Sequence, residues 1–129
     1  MSSIFSKIVS GEIPSYRLAE NDHYLAFLDA FPLQKGHVLV IPKKEVDYIF
    51  DLDESSYSEL MRFAHKVAVK MKKVIDCNRI GLCVMGLEVP HAHVHLIPIE
   101  TEGDMNFSNP KKSFSKEEMM EIAERIKNA

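Results

Sequence analysis

Three of the chain's six histidines stand at alternating positions in Pro90-His91-Ala92-His93-Val94-His95-Leu96-Ile97-Pro98. Val89, Val94 and Ile97 favour an extended backbone, and the prolines at the two ends work against a helix. Residues two apart in a strand share a face, so His91, His93 and His95 are expected to form a row with about 7 Å between neighbours. Such a row suits two chemistries. Three imidazoles can hold zinc and leave a fourth place open for water, as in a metal-dependent hydrolase. Alternatively, a neutral imidazole attacks phosphorus through one nitrogen while its other nitrogen donates to a fixed acceptor, and the flanking rings steady phosphate oxygens or a leaving group. The plainer alternative is a polar strand face with no chemistry.

The elements that must position this row can be followed along the chain. Ile4, Phe5, Ile8 and Val9 have helical spacing, so Ser3 to Ser10 is expected to be a short helix, capped by serine and stopped by Gly11. Tyr16 to Ala19 and Tyr24 to Leu28 read as a hairpin around the polar cluster Glu20-Asn21-Asp22. Lys35-Gly36 turns the chain into a third strand, His37-Val38-Leu39-Val40-Ile41, ended by Pro42. Asp53 is the expected N-cap of the longest helix, in which Leu60, Phe63, Ala64, Val67, Met71, Val74 and Ile75 recur at three- and four-residue steps. With Tyr57, Met61 and Ala68 its apolar stripe exceeds the roughly 100° needed to cover a sheet. The excess fits either a generous core contact or a second subunit.

Arg79 to Met85 is expected to be a fourth strand, paired antiparallel with the histidine strand through the turn at Gly86-Leu87-Glu88. Glu100 to Phe114 is polar and reads as loop, and Ser115-Lys116-Glu117-Glu118 has the capping-box pattern ahead of a final amphipathic helix. The expected fold is therefore α+β, a five-stranded mostly antiparallel sheet with helices packed on it. No internal boundary interrupts residues 1–129, which read as one domain.

Composition narrows the function classes. A chain of 129 residues, 46% hydrophobic and 27% charged, is an ordinary globular composition. A net charge of -3 argues against a broad nucleic-acid footprint while leaving room for a local phosphate pocket. Cys77 and Cys83 lack CxxC spacing, the amino terminus has no signal-sequence pattern, and no apolar run approaches a bilayer span. The expected location is the cytosol, away from membranes.

The run His91-Ala92-His93-Val94-His95-Leu96-Ile97 resembles the signature His-φ-His-φ-His-φ-φ, with φ hydrophobic, of the histidine triad (HIT) superfamily of nucleotide hydrolases and transferases. Ile4 to Ser15, Ala26 to Asp29 and Lys35 to Lys43 resemble that family's amino-terminal and central segments, in the same order and spacing. The resemblance implies that His93 attacks the α-phosphorus of a purine nucleotide derivative. A nucleotidyl-histidine forms, and water then releases the nucleoside monophosphate. It implies further that His95 binds phosphate or assists the leaving group, that His91 orients His93, and that His37 joins as a fourth histidine. Asp29 would accept the ribose hydroxyls, and Ile4, Phe5, Ile8 and Phe27 would form the base slot, although Ile8 and Phe27 taken singly fit ordinary core as well. The substrate expected is a nucleoside phosphoramidate or dinucleoside polyphosphate, without a cofactor, and a homodimer is implied. The alternative is a nucleotide-binding or regulatory module with weak turnover.

Two departures bear on these expectations. Bacterial relatives often carry a structural zinc at positions matching Ser3, Ser6, Glu45 and His91, and serine hydroxyls are poor zinc ligands, so no metal site of that kind is expected. The segment Val84 to Pro90 is shorter than the family's polar loop, with Leu87 in place of a glutamine. Gly86 still leaves its backbone free to approach a phosphate, and Glu88 is expected to face away or to meet a basic leaving group.

Overall fold

The computed structural model describes residues 2–129. Ile4–Ser10 forms helix α1, whose N-cap Ser3 accepts the Ser6 N–H and whose C-cap Gly11 takes a left-handed conformation. Strands β1 (Arg17–Glu20), β2 (Tyr24–Leu28) and β3 (Val38–Pro42) follow, and then helix α2 (Glu54–Val74) with Asp53 as its N-cap. Strands β4 (Arg79–Cys83) and β5 (Val94–Ile99) precede helix α3 (Lys116–Lys127), which opens on the Ser115–Glu118 capping box. The five strands form one sheet in the order β1-β2-β3-β5-β4, and every neighbouring pair is antiparallel. The fold is the expected α+β arrangement, entirely antiparallel.

Strands β2 and β3 are buried along their whole length and β5 up to Pro98, so the two faces of the sheet carry two separate apolar clusters. Tyr24, Ala26, Leu28, Val38, Val40, Val94 and Leu96 face α2 and α3, where they meet Leu60, Ala64, Val67, Met71, Ile122 and Ile126. Leu25, Phe27, Leu39 and Ile41 face the other way and pack with Phe5 and Ile8 of α1. The alternation of a strand puts Asp29, His37, His93 and His95 on this second face, beside α1. Gly36 closes the opposite end. Its φ of +86° favours glycine, and a Cβ there would lie 2.7 Å from Ile75 Cδ1 at the end of α2.

Several boundaries differ from those expected. The strand anticipated from His91 starts at Val94, so His91 and His93 precede the ladder instead of forming a row within it. The cause lies in β3, whose pairing with β5 stops at Val40↔Val94. Further along β3, Pro42 has no N–H to give, and its carbonyl takes the ring of His91 instead of a backbone partner. Strand β1 runs one residue later than expected, β3 likewise omits His37, and β4 ends at Cys83 rather than Met85. The Glu100–Phe114 segment contains a 3-10 turn, Glu102–Met105, held by a reciprocal Thr101–Asp104 capping box. On α2 the wide stripe is graded: Leu60, Ala64, Val67 and Met71 are buried, whereas Tyr57, Met61 and Ala68 are only half covered.

Leu60 is fully buried between α2 and the sheet, whereas Val69 on the same helix is 45% exposed. Leu60→Ala is expected to cost about 2 to 5 kcal/mol and Val69→Ala under about 0.5 kcal/mol. Urea denaturation midpoints of the two variants test that ranking.

Candidate active site

The four histidines reach the site from three places in the chain. His37 enters β3, His95 lies within β5 opposite Leu39, and His91 and His93 come from the extended segment that leads into β5. The four rings are at most 7% exposed. Burial on that scale requires hydrogen-bond partners, and the partners define where each proton sits.

The Leu33 N–H donates to His37 Nδ1 at 3.1 Å, so the His37 proton is on Nε2. That Nε2–H donates to His95 Nδ1 at 3.0 Å, which places the His95 proton on its own Nε2. His91 Nε2–H donates to the Pro42 carbonyl at 2.8 Å, leaving Nδ1 to accept from the Ser3 hydroxyl at 2.8 Å. His93 Nδ1–H donates to the His91 carbonyl at 2.7 Å. In the neutral ring the lone pair of His93 is then on Nε2.

Six of the eight ring nitrogens are thus engaged, and His93 Nε2 and His95 Nε2 remain. Among the described residues the one buried side-chain polar atom without a partner is Ser15 Oγ, so these two nitrogens reach the surface. One is an acceptor and a nucleophile; the other is a donor. Their rings stand 4.9 Å apart, centroid to centroid. Such a pair can attack an electrophile and donate to the same group.

The other expected residues surround this pair unevenly. Asp29 Oδ1 accepts the Phe31 N–H at 2.9 Å, and Oδ2 lies 3.6 Å from His37 Nε2. Burial raises its pKa, opposed by the Phe31 hydrogen bond. Phe5 packs edge-on against His93 at 5.0 Å and against Phe27 at 5.7 Å, forming an aromatic wall. Ile8 and Phe27 are buried within the cluster beneath α1, whereas Ile4 is 49% exposed. Gly86 has a φ of +73° and open space around its Cα. Glu88 is exposed, close enough for its charge to raise the Asp29 pKa, and Leu87 projects into solvent at 91% exposure. Leu87 therefore makes no contact in the place where a glutamine was expected.

The residues matching the zinc positions converge, but on one another. The Ser3 hydroxyl bonds His91 Nδ1 and accepts the Ser6 N–H, the Ser6 hydroxyl donates to Glu45 at 2.7 Å, and the Ser3 N–H donates to Glu45 at 2.6 Å. The Ser3 and Ser6 bonds bring the Glu45 pKa down to about 2. Two hydroxyls, one carboxylate and one imidazole already satisfied by mutual hydrogen bonds do not fit zinc. Asp29, His37 and His95 also approach within 4.8 Å, but His37 Nε2 and His95 Nδ1 are bonded to each other.

Two contributors were not visible in the sequence. Phe107, in the polar loop after the 3-10 turn, packs edge-on against His95 at 4.8 Å and lies 6.3 Å from His37. Lys111 from the same loop lies over the Phe107 ring, 5.5 Å from its centroid. An aromatic inside a polar stretch was the one available signal.

The HIT domain profile matches residues 10–102. The chain belongs to the HIT family. A HIT-like protein of Mycoplasma genitalium is 34% identical over 134 residues, covering 98% of this chain and 95% of that protein. The adenosine 5'-monophosphoramidase of Schizosaccharomyces pombe is 35% identical over 132 residues, covering 98% and 96%. A crystal structure of a HIT-like protein from Bartonella henselae superposes with a TM-score of 0.86 at 32% identity, covering 98% and 95%.

Burial, helped by neighbouring positive charge, lowers the pKa of His37 to about 3 and of His95 to about 4. The unfolded chain takes up these protons near pH 6.5, before the folded chain does, so stability is complete above that pH and falls as the pH drops toward 3. Each ring contributes a slope of up to about 1.4 kcal/mol per pH unit. Urea midpoints between pH 7 and pH 5 are expected to decline in the wild type and to decline less in His37→Gln.

Proposed function

We propose that this chain is a hydrolase or transferase that cleaves a nucleoside phosphoramidate or a dinucleoside polyphosphate at the α-phosphorus. The observation that carries this reading is the pair of free ring nitrogens, a nucleophilic His93 Nε2 beside a donating His95 Nε2–H. His93 Nε2 forms a bond to phosphorus as the bond to the leaving group breaks, and the leaving group takes a proton from solvent water. The nucleotidyl-imidazole is then attacked by water, His93 leaves, and the nucleoside monophosphate is released. Splitting one displacement into two lowers each barrier, and fixed hydrogen bonds remove the need to reorganise polar groups during either step.

His95 steadies a phosphate oxygen or the leaving group, with its tautomer set by His37. The His91 carbonyl orients His93. Asp29, with Oδ2 free of backbone donors, accepts the ribose hydroxyls, as two acceptor oxygens suit adjacent donors. Ile4, Phe5, Ile8 and Phe27 line the base slot; among them, Phe5 touches the His93 ring directly. Gly86 lets backbone approach the phosphate, and Glu88 faces a basic leaving group. The adenosine phosphoramidase relative supports an adenine nucleotide as the test substrate.

Two copies are expected to pair through edge strand β4, where Leu82 is 47% exposed, and the half-covered side of α2. The free thiols of Cys77 and Cys83 agree with a reducing cytosolic setting, and no helix among the described residues is long and apolar enough to cross a membrane.

Wild type is expected to release AMP from adenosine 5'-phosphoramidate without added metal and with chelator present. His93→Ala should lower kcat by at least about 1,000-fold, in line with loss of a nucleophile, while Asp29→Asn mainly raises KM. Tight AMP binding with no turnover of phosphoramidates, acyl nucleotides or dinucleoside polyphosphates would instead identify a binding module. Activity that chelation abolishes and metal restores would overturn the metal-free route.

A further inference from the structure

We propose that Lys111 is a phosphate-binding residue of this site, supplying the positive charge that the histidines do not. The proposal rests on the nucleotide reading above and adds a residue to it.

Position is the first support. Lys111 Nζ donates to the Phe107 carbonyl at 2.8 Å and lies over the Phe107 ring, whose edge meets His95. The loop that carries both residues is tied down on either side. Asn109 Nδ2 donates to the Gly103 carbonyl at 2.7 Å, and the Lys112 N–H donates to the Pro32 carbonyl at 2.8 Å, in the connection between Asp29 and His37. Lys111 is therefore held over the side of the site that contains His95, His37 and Asp29. Its charge reaches all three, lowering the pKa of each.

Charge balance is the second support. Asp29 lies in the site and Glu88 near it, and both disfavour an incoming phosphate when ionised. His37 and His95 are held neutral by burial, so they offer dipoles and no net charge. Lys111 is the basic side chain whose charge acts on this group, and none of the ion pairs among the described residues occupies it. Its single carbonyl partner and exposed, flexible stem allow the ammonium to turn from Phe107 to a phosphate oxygen. An ammonium–phosphate contact is a charge-assisted hydrogen bond, whereas adenosine alone gives Lys111 nothing to hold.

Isothermal titration of AMP and of adenosine into wild type, Lys111→Ala and Lys111→Arg tests this. Lys111 is exposed, so the alanine variant is expected to fold. Lys111→Ala should weaken AMP about tenfold or more and leave adenosine within about twofold, in line with loss of one charged hydrogen bond. Lys111→Arg should keep AMP within about threefold, and the difference between wild type and Lys111→Ala should shrink in high salt. Equal weakening of AMP and adenosine, or AMP binding indifferent to Lys111→Ala, would overturn the Lys111 assignment alone. A wild type that binds neither compound would overturn the nucleotide reading and this residue's role with it.

Discussion

Four imidazoles buried side by side can be tolerated only if their ring nitrogens find partners, and this constraint organises the molecule. A buried polar atom without a partner costs on the order of 1 to 3 kcal/mol. Here the Leu33 N–H, the Pro42 carbonyl, the His91 carbonyl and the Ser3 hydroxyl supply partners from four separate places in the chain. Moving any of these backbone segments would strand a buried nitrogen. The same bonds set the tautomers, so the interactions that make the cluster compatible with burial also leave a lone pair on His93 and a proton on His95.

The sheet meets that demand by being buried on both faces. Helices α2 and α3 cover one face with a continuous apolar layer. The other face is covered by α1 and by the loop around Phe107, with His93 Nε2 and His95 Nε2 still in reach of solvent. Helix α1 is short, and its position depends on the polar junction among Ser3, Ser6, Glu45 and His91. Hydrogen bonds through Ser3 thus tie the chain's start to His91 and Glu45. The arrangement carries Phe5 against His93, so in the proposed function base recognition and orientation of the nucleophile would share one support.

The loop after β5 completes the site from the opposite side. Its contribution is a ring edge against His95 and one cation, set in a region that holds the Asp29 carboxyl group and two imidazoles kept neutral by burial. An electrostatic imbalance of this kind has more effect inside a low-dielectric cleft than on an open surface. In the Val84–Pro90 segment Leu87 is turned to solvent.

Much of this was legible in the residues. Ser3, Asp53 and Ser115 cap the three helices as their side chains imply, because capping is a contact with backbone three residues away. The strand faces followed from alternation, and the antiparallel pairing of β1 with β2, β2 with β3 and β4 with β5 from short connections. What the chain could not declare locally was where β5 begins, which nitrogen of each ring carries the proton, and that Phe107 and Lys111 come back to the histidines. Those outcomes depend on partners far apart in sequence: His91 to Pro42 spans 49 residues, His37 to His95 spans 58, and Ser3 to His91 spans 88. Residue type and period determined which groups were available, on short-range sterics and hydrogen bonding. Only the packed chain decided which of them satisfy one another and which two nitrogens are left to react.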